Sequence, residues 1–392
     1  MPIKVMSVFG TRPEAIKMAP VIKALEADPR FDSQVVVSGQ HRAMLDQVLA
    51  FFEITPDIDL AIMKEKQNLT DVTTRIISRL TPILEKEKPD IVLVHGDTTT
   101  TMAAALAAFY QKIAIGHVEA GLRTWNKYSP FPEEMNRQLV DSLADLCFAP
   151  TQESADNLIK ENQSAEKIFV TGNTAIDAMS YTISSEYRHA YLPDNGQQRV
   201  LVTMHRRENL GKPMEAVFQA LARLAAERPK LEIIFPMHKN PFVREIAQKM
   251  LGNHANIQLI EPLDIFDFHN FAKRCDLILT DSGGVQEEAP SLGIPVLVLR
   301  DTTERPEGVK AGTLKLLGTD QETVYQETLK LLDDEAAYKK MANAVNPYGD
   351  GHASQRIVAV LAQIFHQGPS SIEVTGEEKH SLVKYDTFCN KL

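Results

Sequence analysis

Cysteine is scarce in this sequence. Cys147, Cys275 and Cys389 are the only three in 392 residues, with no CxxC pair and no even count. That removes a disulfide framework and a cysteine-built zinc site, and it fits a reducing compartment. Long apolar runs are missing as well: the longest, TMAAALAAFY at 101–110, falls well short of the roughly 18 residues a spanning helix needs. The opening MPIKVMSVFGTRPE has a short apolar run and no small-residue cleavage site, so it is not expected to be a secretory leader. Excess positive charge is absent too, since 42 Lys and Arg face 52 Asp and Glu for a formal net charge of −10. That balance argues against a nucleic-acid or anionic-membrane binder, yet leaves room for a local basic pocket for one small anion. The expected setting is cytoplasmic.

What is present reads as a globular α/β protein. The composition is 44% hydrophobic and 24% charged, enough apolar material for two ordinary cores at this length. Short β-branched runs alternate with helical periods along most of the chain. In the first half the strand candidates are 4–9, 34–38, 90–95, 113–118, 146–149 and 167–172; in the second they are 199–204, 231–237, 256–260, 276–280 and 295–299. Helical periods fall between them, as at Glu14–Leu25, Thr99–Gln111 and Met214–Glu227. Strands separated by helices imply parallel sheets covered on both faces. Two doubly wound domains are expected, 1–181 and 182–351, with the polar, aperiodic stretch 182–198 at the boundary. A last amphipathic helix near 352–366 carries Ile357, Val358, Leu361, Ile364 and Phe365 on one stripe, and 367–392 reads as a polar tail.

In open parallel sheets ligands bind beyond the carboxyl ends of the strands, so the residues that follow each strand matter most. They read GTRPE (10–14), GDTTTT (96–101), VEAGLR (118–123), HRREN (205–209), MHKNP (237–241) and DSGGVQEE (281–288). Ser282, Gly283 and Gly284 suit close backbone approach to phosphate, with Glu288 placed to accept from a ribose diol. Read alone, the same residues are a plain glycine turn. Thr11 and Glu14 have capping-box spacing, leaving Arg12 and Lys17 near the helix start for a diphosphate or simply for solvent. Asp97 reads as an N-cap that can still face a ligand. His95, His117 and Glu119 come without HExxH or comparable spacing, so no metal is expected. Glu133 and Arg137 are four apart and share a helix face. They make either a surface ion pair or, with Glu119 and Glu134, a cluster of acids and bases. His205, between a strand end and two arginines, suits a pyrophosphate contact or a proton donor.

As a set these motifs resemble the non-hydrolysing UDP-N-acetylglucosamine 2-epimerases. The matching stretches are GTRPEAIKMAP, GQHR, VHGDTTTT, GHVEAGLRT, SPFPEEMNR, TGNTAIDA, TMHRREN, DSGGVQEEAPSLG, VLRDTTERPEG and NPYGDG, spread over residues 3–365. The resemblance implies a GT-B-like architecture of two Rossmann-like domains facing across a cleft, the second binding UDP, with the helix near 354–365 packed back on the first. It implies reversible inversion at C2 by elimination of UDP to 2-acetamidoglucal and re-addition, with no cofactor, supplying N-acetylmannosamine units for surface polysaccharide. Hydrolysing epimerases and GT-B glycosyltransferases are the rivals; a non-catalytic nucleotide-sugar sensor ranks behind both.

Carried over by position, the resemblance implies Asp97, Glu119 and Glu133 as acid/base candidates, Arg137 as the residue that orients them, and His205 at the diphosphate. Arg12, Lys17, Ser282, Gly283, Gly284, Glu288 and Arg305 are the implied UDP contacts, with Leu263 by backbone and Phe268 by ring at the uracil. Phe268 can equally be core. Some bacterial relatives hold a second UDP-N-acetylglucosamine as allosteric activator, at positions matched here by Gln40, Arg206 and His238. Ala43 and Lys66 stand where such relatives carry glutamine and arginine, departures that weigh against that site. A homodimer is also implied.

Overall fold

The computed structural model describes residues 1–39, 42–64, 66–303 and 305–365, without the side chains of 42–44. Among these residues thirteen strands form two wholly parallel sheets. The first holds β1 (Ile3–Phe9), β2 (Phe31–Val37), β3 (Ile58–Asp59), β4 (Ile91–His95), β5 (Ala114–Val118), β6 (Leu146–Ala149) and β7 (Ile168–Val170). Its order is β3-β2-β1-β4-β5-β6-β7. The second holds β8 (Arg199–Thr203), β9 (Glu232–Pro236), β10 (Ile257–Ile260), β11 (Leu277–Thr280), β12 (Val296–Val298) and β13 (Leu314–Leu316). Its order is β10-β9-β8-β11-β12-β13.

Each sheet reverses its winding at its middle, between β1 and β4 in one and between β8 and β11 in the other. Such a switch point leaves a crevice at the strands' carboxyl ends. The central strands are largely apolar because both faces are covered: all five residues of β4 are buried. Neighbouring residues serve opposite faces, so Val200 and Val202 enter one core cluster of the second sheet while Leu201 enters the other.

The chain divides into two compact units, Met1–Ala178 with the residues from Gly351 onward, and Met179–Asp350. The stretch 182–198 is part of the second unit's core rather than a bare connector: Tyr187 and Leu192 are buried there, and the Tyr187 hydroxyl donates to Asp267 at 2.6 Å. The helix Ala353–Phe365 belongs to the first unit, where it packs on the helix Arg12–Glu26. Its first turn is tied down by Asp177, whose carboxylate accepts from the amides of Ala353 at 3.2 Å and Ser354 at 2.7 Å. No helix among the described residues is long and apolar enough to cross a membrane.

Candidate active site

In the first unit the loops after β1, β4 and β5 and the helix Glu133–Leu143 bring charged side chains together. Glu14 forms the base of the group. Its buried carboxylate accepts from the amides of Gly10 at 3.0 Å and Thr11 at 2.7 Å, and from the hydroxyls of Thr98 at 2.7 Å and Thr101 at 3.0 Å. Burial raises its pKa, and hydrogen bonds from Thr98, Thr11, Gly10 and Thr101 oppose the rise. Glu14 thus fastens the turn after β1 to the turn after β4.

One helical turn on, the Lys17 ammonium pairs with the Glu119 carboxylate. Glu119 itself has a left-handed backbone, φ +67°, a conformation costing a non-glycine residue ~1–2 kcal/mol. The imidazole of His95, at the end of β4, lies with Nε2 3.8 Å from the same carboxylate oxygen. Both its ring nitrogens are buried without a hydrogen-bond partner among the described residues. Burial outweighs the pull of Glu119 and lowers its pKa to about 3, so the ring is neutral.

Asp97 follows β4 with about a third of its side chain in solvent, and the Arg137 Nη2 stands 3.7 Å from its Oδ2. Burial raises the Asp97 pKa; Arg137 pulls it down, and Glu119 and Glu133 push it up. The N-cap duty read for Asp97 falls instead to Thr98, whose hydroxyl accepts from the Thr101 amide at 3.2 Å. Asp97 is released for other work. Arg137 does not pair with Glu133: its second carboxylate is Glu134, at 3.6 Å. Buried Glu134 also accepts from the amides of Thr124 and Trp125, both at 3.0 Å, and so holds the loop before the helix. Glu133 is half-buried and close enough to act on Asp97. The Asn136 side chain donates to the Asp97 carbonyl at 2.9 Å, tying helix to loop.

In the second unit the loops after β8 and β11 are joined by Asp281. This buried carboxylate accepts from the amides of His205 at 3.0 Å and Arg206 at 2.9 Å and from Asn209 Nδ2 at 3.0 Å. His205 Nδ1 is 3.4 Å from it, and the ring stacks on His238 at 5.6 Å between centroids. Burial lowers the His205 pKa, opposed by Asp281 and reinforced by His238 and Arg206. Arg305 lies over the start of the helix Gly283–Glu288: a Cβ on Gly283 would come 2.9 Å from its guanidinium carbon. Glu287 steers that guanidinium, accepting from its Nε at 2.8 Å. Glu288 is held 3.3 Å from His269 Nε2, whose Nδ1 lies 2.6 Å from the Thr182 hydroxyl.

The remaining residues singled out in the sequence are placed as follows. Lys17 turns to Glu119, while exposed Arg12 makes no ion pair among the described residues. Leu263 and Phe268 are half-buried and pack on the second unit's core. Ser282 donates its amide to the Thr280 hydroxyl at 2.9 Å, and Gly284 is exposed. Gln40 lies outside the described residues. Glu14, His95 and Asp281 were not singled out as site residues, and Glu134 only as one member of the acid–base cluster. In the sequence Glu14 shows as half of a capping box, His95 as the last residue of a strand, Asp281 as the first residue after one and Glu134 as part of a helix's first turn.

Comparison with known proteins bears on most of the chain. A family model described as UDP-N-acetylglucosamine 2-epimerase matches residues 23–362. The chain is 60% identical over 367 residues to the UDP-N-acetylglucosamine 2-epimerase of Bacillus subtilis strain 168, covering 93% of this chain and 96% of that one. Its fold is similar to that of a UDP complex of S. aureus MnaA, with a TM-score of 0.85, 54% identity and coverage of 95% and 100%. It is also similar to the Neisseria meningitidis UDP-GlcNAc 2-epimerase bound to UDP-GlcNAc, with a TM-score of 0.82, 50% identity and coverage of 92% and 100%.

Proposed function

The chain belongs to the UDP-N-acetylglucosamine 2-epimerase family, and from that premise we propose that it interconverts UDP-N-acetylglucosamine and UDP-N-acetylmannosamine without hydrolysis. The observation that carries this reading is the convergence of Asp97, Glu119, Lys17 and Arg137 at the switch point of the first sheet. The C2 hydrogen of the sugar is not acidic, so direct deprotonation and return are slow. Elimination avoids that: a base takes the C2 proton as the C1–O bond breaks and UDP leaves with the electron pair. The enzyme-held 2-acetamidoglucal then takes UDP back at C1 and a proton at C2 on the opposite face. Two faces require two proton carriers, and Asp97, Glu119 and Glu133 supply carboxylates in different environments.

The raised pKa of Asp97 suits a group that must give as well as take a proton. Glu119 is paired with Lys17 and faces a neutral imidazole. In the second unit, Arg305 over the Gly283 backbone, with Ser282 beside it, supplies the charge and donors that a departing diphosphate needs. His205 adds to that charge, Glu288 meets the ribose, and Leu263 and Phe268 meet the uracil; Arg12, in the first unit, is offered as a further cation for the diphosphate. The same reading places the enzyme in the cytoplasm as a homodimer. Arg206 and His238, beside His205, are the described residues on which binding of a second nucleotide sugar as activator rests.

Product analysis tests the reaction class. After incubation with UDP-N-acetylglucosamine, the expected outcome is a mixture of two intact UDP-sugars with the total UDP-sugar unchanged. Accumulation of free N-acetylmannosamine with stoichiometric UDP would assign the hydrolysing reaction instead.

A further inference from the structure

Behind the acid-bearing loops lies a buried ionic cluster with no part in the reading above. His117, on β5, and Asp141, on the helix Glu133–Leu143, are both fully buried, with Nδ1 2.6 Å from Oδ1. The other ring nitrogen, Nε2, is 2.8 Å from the Gly96 carbonyl oxygen. The Asp141 carboxylate also accepts from Arg123 Nη2 at 2.6 Å and from the Gly121 amide at 3.2 Å. Arg123 in turn donates to Glu161 from Nε at 2.8 Å and from Nη2 at 2.5 Å.

These contacts settle the charge of the ring. A carbonyl oxygen can only accept, and the Asp141 carboxylate, whose Oδ2 accepts from a guanidinium and an amide, is held ionised by the Arg123 charge beside it. Burial pushes the Asp141 carboxyl up, but His117 and Arg123 outweigh it and hold the group below the usual carboxylate range. Both nitrogens of His117 therefore donate, so the ring is an imidazolium. Two cations, His117 and Arg123, then balance two anions, Asp141 and Glu161, which is the condition for keeping such charges out of water. The other titratable groups around the ring leave this balance in place. Lys167 reaches only the carbonyls of Asp141 at 3.4 Å and Ala144 at 2.9 Å. His95 is neutral, and Cys147, opposite His117 on β6, has its thiol pushed up by burial.

What the ring holds in place is the reactive group of side chains. Gly96 is the residue before Asp97, Gly121 lies two beyond Glu119, and Asp141 rides the helix that carries Glu133 and Arg137. We propose that His117 is a positioning residue of the epimerase reaction: an imidazolium whose two hydrogen bonds fix the segments bearing Asp97, Glu119 and Glu133–Arg137 relative to one another. The proposal rests on the epimerase reading for its kinetic consequence, but not for the charge of the ring.

Two measurements test it. Neutron diffraction on deuterium-exchanged crystals near neutral pH should show deuterons on both Nδ1 and Nε2 of His117; a bare ring nitrogen would overturn the proposal. In solution, His117→Gln should lower kcat ~100-fold, the loss expected when reacting groups are misplaced by about 1 Å. KM for UDP-N-acetylglucosamine should stay within about 3-fold, because the proposed ribose and uracil contacts, and the proposed diphosphate contacts other than Arg12, lie in the second unit. A folded variant with wild-type kcat, or one whose KM alone changes, would contradict positioning. Should H117Q not fold, the isosteric Asp141→Asn is expected to show the same fall in kcat at near-constant KM, and wild-type kcat there would contradict positioning equally. A wild-type enzyme without epimerase activity would remove the functional reading while leaving the neutron result to stand or fall by itself.

Discussion

The carboxyl of Asp97 is raised above its ordinary value of 3.8 by burial, which Arg137 only partly offsets. A carboxyl whose folded pKa exceeds its unfolded one binds its proton more tightly when folded, so its contribution to stability is full at low pH and is lost as pH rises through the folded pKa. Asp97→Asn should therefore melt at a higher temperature than wild type at pH 7–8, with the gap closing as the pH falls toward 4. Its kcat should drop ~10²–10⁴-fold, the usual worth of a proton carrier. Thermal melts over a pH series beside steady-state rates check both halves; an equal or lower melting temperature at pH 8 would contradict the burial argument. Asp97, Glu119 and Arg137 were legible in the sequence because they sit just after strands or on the first turns of a helix. What holds them was not. The hydroxyls that Glu14 accepts from lie 84 and 87 residues away, and local spacing shows Glu14 only as half of a capping box. Likewise Glu133 and Glu134 share the first turn of one helix, and only the packed structure shows that Arg137 turns to Glu134.

At the scale of elements, the two glycines of DSGG are not equivalent. A Cβ on Gly283 would push on the Arg305 guanidinium at 2.9 Å, whereas on Gly284 the nearest atom is a Glu288 oxygen at 3.9 Å. Gly283→Ala should displace Arg305 and raise KM for UDP-N-acetylglucosamine roughly 10-fold, about the worth of one charged contact, while Gly284→Ala leaves it within about 3-fold. Because the guanidinium is the flexible end of a long side chain, the stability cost of G283A should be small. Equal KM values for the two variants would remove Arg305 from the phosphate site. The strands themselves were mostly legible, since β-branched runs between helical periods mark central parallel strands. The two that were not, β3 and β13, have two and three residues. They owe their pairing to the sheet edge they join rather than to a pattern of their own.

At the scale of the molecule, the chain returns to its first unit through the helix Ala353–Phe365. Ile357 and Leu361 are fully buried there, on the stripe read from the sequence. Ile364 and Phe365, on the same stripe, remain half-exposed. Leu361→Ala should cost ~2–5 kcal/mol, seen as a lower denaturation midpoint of the first unit with the second unit's transition unchanged. A uniform shift of both transitions would show that the units do not unfold separately. The alternation of strands and helices announced two doubly wound domains. The expected bounds put 182–198 in the second domain, but nothing in that polar stretch marks Tyr187 and Leu192 as part of its core. The central claim is chemical: the C2 proton leaves and another returns while UDP is detached. Proton NMR of the purified protein with UDP-N-acetylglucosamine in deuterium oxide follows that event directly. The account predicts UDP-N-acetylmannosamine carrying deuterium at C2, with C2 deuterium appearing in the remaining UDP-N-acetylglucosamine as equilibrium is reached. Bound but unchanged and undeuterated substrate would contradict it.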